Sequence, residues 1–91
     1  MIEVEKIDDT TYRVTVKGHR TTIHDVGADA EYCKKLTGGH VPLEVLIEKS
    51  FEFLLERESN TSILRKFDLP VIGHYFPEYE NVIRKMLGSS A

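Results

Sequence analysis

Residues 42–58, PLEVLIEKSFEFLLERE, read as one amphipathic helix of about four turns. Leu43, Leu46, Ile47, Ser50, Phe51, Phe53, Leu54 and Leu55 fall on one side, and Glu48, Lys49, Glu52 and Glu56 on the other. The apolar arc spans roughly 200°, about twice what a surface helix needs. A helix with so wide an arc requires cover on two sides. A sheet is the first cover, and the second is either the later helices of the same chain or a second copy of it. Pro42 suits the first helical position, where its missing N–H costs nothing. Glu44 and Arg57 stand at the ends that favour their charges.

The residues upstream supply the sheet. Ile2–Ile7 alternates weakly, and Asp8–Thr11 has turn composition. YRVTVK, residues 12–17, is the clearest strand, with Tyr12, Val14 and Val16 on one face. Gly18–His19 reads as a two-residue hairpin turn into a third strand, residues 20–26. That register points Ile23 inward with Val14 and Val16, and points Arg13, Thr15, Lys17, Arg20, Thr22 and His24 outward. Asp29 caps a short helix, residues 30–36, which Gly38 or Gly39 closes. Downstream of the long helix, Ser59–Ser62 offers caps for a helical turn over residues 63–67. Asp68 and Pro70 open another turn, and residues 78–87 form a last helix ending at Gly88. Ser89, Ser90 and Ala91 are expected to fray.

Strands first and helices after make an α+β pattern. The expected fold is a three-stranded antiparallel sheet (about 2–7, 12–17, 20–26) on a long helix (about 42–58), with short helices before and after. All 91 residues are expected to form a single domain, residues 1–91. The content is 41% hydrophobic and 30% charged, ordinary for a soluble chain, and no apolar run approaches a membrane span. A net charge of −3 gives no basic field for nucleic acid. The one cysteine, Cys33, makes no internal disulfide, and the N-terminus lacks a secretion signal, so the expected compartment is the cytoplasm.

Three surfaces carry the candidate sites. The first is the aromatic tail, SILRKFDLPVIGHYFPEYE, where Phe67, Tyr75, Phe76 and Tyr79 form a partner-binding patch or else complete the core. The second is the acidic stripe Glu48, Glu52 and Glu56, for a basic partner or for solvent. The third is the outward sheet face, where Arg13, Lys17, Arg20, Thr22 and His24 suit phosphates. His19, His24, Cys33, His40 and His74 form no metal-ligand spacing, and no phosphate loop is present, so no metal or cofactor is expected.

The tail, with the preceding SFEFLLERE, resembles that of small uncharacterised bacterial proteins, a likeness that implies no activity. Residues 21–58 also resemble a ribbon-helix-helix module: TTIHDV as ribbon, ADAEYCKKL as first helix, PLEVLIEKSFEFLLERE as second. That resemblance implies a dimer whose paired strands enter the DNA major groove. Either Thr22 and His24, or Thr21, Ile23 and Asp25, would then face the bases. The expected function is non-catalytic, through a protein partner or a homodimer. The alternative is a nucleic-acid-binding transcriptional or antitoxin-like regulator.

Overall fold

A computed structural model describes residues 1–88 and has an α+β fold with a four-stranded mixed sheet and four helices. The expectation for residues 89–91 lies outside the described residues. The elements are β1 (Ile2–Lys6), β2 (Thr11–Val16), β3 (Thr22–Gly27), α1 (Ala30–Thr37), α2 (Leu43–Leu55), β4 (Lys66–Asp68), α3 (Pro70–Tyr75) and α4 (Tyr79–Met86). A 3-10 turn, Asn60–Ser62, lies between α2 and β4. Strand order is β1-β2-β3-β4, with the first three antiparallel and β4 parallel to β3.

The meander forms as its alternation demands, with one correction. Residues 17–21 make the turn, not Gly18–His19 alone, so Val16 pairs with Thr22 and Val14 with His24. This shifts β3 by one residue from the expected register and exchanges its two faces. Thr22, His24 and Val26 point into the core, while Ile23 is 49% exposed. The reason lies in residue 25. Ile23 and Asp25 share a face, so burying the isoleucine would take a carboxylate with it. Burying Ile23 would return about 1.5–3 kcal/mol. Desolvating the carboxylate costs several kcal/mol. Thr22 and His24 can go inside uncharged and fully hydrogen-bonded.

The second correction is β4. Residues 63–67 form no helical turn. They run extended beside β3, pairing Asp25 with Lys66, Val26 with Phe67 and Gly27 with Asp68. Gly27 leaves room there for the Asp68 carboxylate, which would have to turn aside for any side chain at position 27. Parallel strands need a long connection, and here it is α1, α2 and the 3-10 turn.

α1 forms as its sequence suggests. The Tyr32 amide donates to the Asp29 carboxylate at 3.0 Å, and Gly38 closes the helix at φ 79°. α2 is shorter than expected. Pro42 is its cap, not its first turn, and the helix stops at Leu55. Its wide arc is covered twice within one molecule. Phe51 meets His24 (ring centroids 5.3 Å) and Phe67 (6.1 Å) on the sheet side. Phe53 meets Tyr79 (5.3 Å) and Phe76 (5.9 Å) on the tail side. Ser50 sits between the two phenylalanines, fully buried. Its hydroxyl donates to the Leu46 carbonyl (2.7 Å) and lies 2.7 Å from the Tyr79 hydroxyl. α4 is also tied to α1, by Tyr32 to Glu80 (2.8 Å) and Arg84 to the Leu36 carbonyl (3.0 Å).

The Ser50–Tyr79 bond is directional, and its two ends are not equivalent. Tyr79→Phe leaves Ser50 still bonded to Leu46 and is expected to cost about 1 kcal/mol. Ser50→Ala strands a buried tyrosine hydroxyl and is expected to cost more, about 1–3 kcal/mol. Urea midpoints measure both, and a Tyr79→Phe chain less stable than Ser50→Ala would refute this account.

Candidate functional site

The site begins with a buried histidine. His24 is fully buried, with both ring nitrogens bonded: Nδ1 lies 2.7 Å from the Leu64 carbonyl and Nε2 lies 2.8 Å from Thr22 Oγ1. A carbonyl only accepts, so Nδ1 carries the proton, and in the neutral ring Nε2 accepts from the Thr22 hydroxyl. Thr22 Oγ1 in turn accepts from Asn60 Nδ2 at 3.0 Å, and that amide also donates to the Arg20 carbonyl at 2.7 Å. Every member of the chain is satisfied only when the histidine is neutral. Burial lowers its basicity; the Leu64 carbonyl opposes that shift, and nearby Arg65 adds to it.

This chain holds the segment from Asn60 to Leu64 against β3. With its carbonyl drawn inward, Leu64 keeps its side chain at the surface, 48% exposed. Tyr75, at the end of α3, is 67% exposed. Both side chains line an apolar cleft of about 170 Å³. Leu54 borders it from α2 and Glu58 from the turn that follows, Ile63 and Phe67 from the β4 segment, and Val71, Ile72 and Phe76 from the tail. Glu58 is its one acid, and Ser62 supplies a hydroxyl.

The structure separates the expected partner-binding residues. Tyr75 stands on the rim, Phe76 is a half-buried wall, and Phe67 is a buried wall. Tyr79 is fully buried against α2 and belongs to the core. Glu48 on α2 and Glu56 at its C-terminal cap are exposed, and Glu52 is half-buried. Lys49 reaches Glu52 at 3.4 Å and Arg57 reaches Glu56 at 3.6 Å, so the stripe is partly neutralised. None of the three borders the cleft.

The five phosphate-binding candidates do not share a surface. Thr22 and His24 are inside, a correction that follows from the register. Arg13 is paired with Asp25 at 3.1 Å and Lys17 with Glu3 at 3.0 Å, while Arg20 is exposed in the turn. Glu5, Arg13, Asp25 and Lys66 lie side by side across the four strands, with alternating charge. β3 has β2 on one edge and β4 on the other, so it has no free edge for the strand-paired dimer that the ribbon-helix-helix resemblance implies.

Leu64 is the rim residue that sequence reasoning missed. Its signal was the Ile63–Leu64 pair. In an extended segment, adjacent residues face opposite ways, and here Ile63 turns inward while Leu64 turns out. Among the described residues, no three His, Cys, Asp or Glu side chains converge as a metal site. Nor is any helix among them long and apolar enough to cross a membrane. Cys33 is buried and its thiol is pushed up to about 11, chiefly by burial and then by Asp29, so it is no thiolate at neutral pH. The chain matches no protein-family model, no curated protein and no solved structure.

The histidine makes the fold acid-sensitive in a definite window. The folded chain takes up the His24 proton at lower pH than the unfolded chain, whose ordinary value is 6.5. Its contribution to stability is therefore whole above that pH and is lost as pH falls below it. Asp8, held low by the Thr10 and Thr11 amides, and Glu78, held low by its own amide and Arg57, contribute losses only below their ordinary values of 3.8 and 4.5. Urea midpoints are expected to fall between about pH 7 and pH 5. His24→Asn, which keeps a donor for Leu64 and does not titrate, is expected to flatten that fall; equal slopes in both chains would refute the assignment.

Proposed function

We propose that the protein is a non-catalytic interaction module of the cytoplasm, which holds a protein partner through one apolar side chain seated in the Leu64–Tyr75 cleft. The observation that carries this reading is the cleft itself, with two large apolar side chains exposed on its rim. Its size supports one anchor residue. Pockets for small molecules usually hold about 300–1,000 Å³. An apolar cavity of roughly 150 Å³ accepts a benzene ring. The cleft at about 170 Å³ matches a single aromatic or branched aliphatic side chain. Tyrosine on the rim fits the composition of binding surfaces. Catalysis draws no support here, because Glu58 is the one carboxylate at the cleft and no second acid or base stands beside it apart from the Tyr75 phenol.

A regulator that binds nucleic acid is favoured by no surface, since the sheet's arginine and lysine side chains at positions 13 and 17 already have acid partners. Self-association through the apolar arc of α2 is not favoured either, since the sheet and the tail cover that arc.

The test replaces the two rim residues together, Leu64→Ser with Tyr75→Ser. Both are exposed, so stability is expected to change by no more than about 1 kcal/mol. Wild type and variant serve as paired baits in lysate of the native cell, while light scattering follows each alone. A bound protein, or a dimer, present with wild type and weakened about tenfold or more in the variant is the expected result. Identical profiles and unchanged mass would sink the proposal.

A further inference from the structure

Beside the cleft lies an unused sheet edge. The Asp25 amide donates to the Arg65 carbonyl at 2.8 Å and the Leu69 amide to the Gly27 carbonyl at 3.0 Å. This ladder commits Arg65, Phe67 and Leu69 to β3. Backbone groups alternate along a strand, so the N–H and C=O of Lys66 and Asp68 point the other way. Among the described residues no turn, loop or cap hydrogen bond reaches them. β4 is the last strand of the sheet on this side. Its inward side chain, Phe67, is also a wall of the cleft.

The geometry points to an extended peptide segment of a partner protein as the occupant, adding a fifth strand along the free edge of β4 and lowering one apolar side chain into the cleft. This inference rests on the cleft reading above and names its ligand. Residues opposite each other in paired strands share a face. The peptide residue facing Phe67 thus points toward the cleft, and its neighbour facing Lys66 points to the outer face of the sheet. There the row Glu5, Arg13, Asp25, Lys66 ends on a cation whose outward flank is open. An acid continues the alternation. The peptide therefore carries an acid immediately beside an aromatic or branched aliphatic residue. Main-chain bonds supply affinity in this mode, and the cleft and Lys66 supply selection.

The test selects a displayed library of random short peptides on the full chain, then synthesises the enriched sequences. Expected are peptides with an acid next to a large apolar residue, which slow amide hydrogen exchange at Lys66 and Asp68. N-methylation of the peptide amide that faces β4 is expected to weaken binding about tenfold, while methylating its sequence neighbour has little effect. Lys66→Glu is expected to exchange the selected acid for a base. Peptides that need Leu64 and Tyr75 but leave the Lys66 and Asp68 amides exchanging freely would overturn the strand while preserving the cleft. Self-association that protects β1 amides against β4 would assign the edge to a second copy and overturn the inference. Failure to enrich any peptide that the Leu64→Ser, Tyr75→Ser chain rejects would overturn both.

Discussion

The inward turn of His24 is the constraint on which much of this architecture depends. A strand reading TTIHDV cannot bury both Ile23 and Val26, which lie on opposite faces. The choice falls on the face that keeps Asp25 in water. That places an imidazole and a hydroxyl in the core, and each must find partners there. They find them outside the strand, in Asn60 and the Leu64 carbonyl. The bonds bring the segment after α2 back to β3, where its next residues lie down as β4. A polar core pair thus connects the meander to the end of the chain.

α2 depends on the same return. One side of the helix rests on the sheet through Phe51, and Phe67 of β4 joins that contact. The other side would stand bare without the tail, and Tyr79 closes it around Ser50. The prolines let the tail change direction between short helices: Pro70 opens α3, and Pro77 follows its end. Tail and sheet therefore complete one core, and the width of the apolar arc on α2 is explained without a second molecule.

The cleft is what this closure leaves at the seam where α2, the β4 segment and α3 meet. It is lined by Leu64, whose carbonyl is pulled inward, and by Tyr75, at the end of a helix. An aromatic tail can serve as core or as contact surface, and here it is divided between the two. Phe67 and Tyr79 were drawn inside, Phe76 became a wall, and Tyr75 was left in solvent. The outer sheet face, with acids and bases paired in alternate strands, offers no concentrated charge of either sign. The cleft, by contrast, is lined mainly by apolar side chains.

The sequence by itself determined the local elements. Alternation defined the first strands, Asp29 and Gly38 bounded α1, the 3.6-residue period defined α2, and Pro70 and Gly88 punctuated the tail. These follow from forces acting over a few neighbouring residues, which the chain carries wherever it folds. The need to cover both sides of α2 was also legible, because the width of an apolar arc is a property of the helix alone. The register of β3, the strand β4 and the cleft were decided only by the tertiary structure. A two-residue and a longer turn fit GHR almost equally well locally. The difference is whether Asp25 or His24 enters the core, and that depends on Asn60 and Leu64, some forty residues away. Three residues, Lys66–Asp68, are too short to show a period of two. They become a strand because β3 offers them an edge and the core offers Phe67 a place.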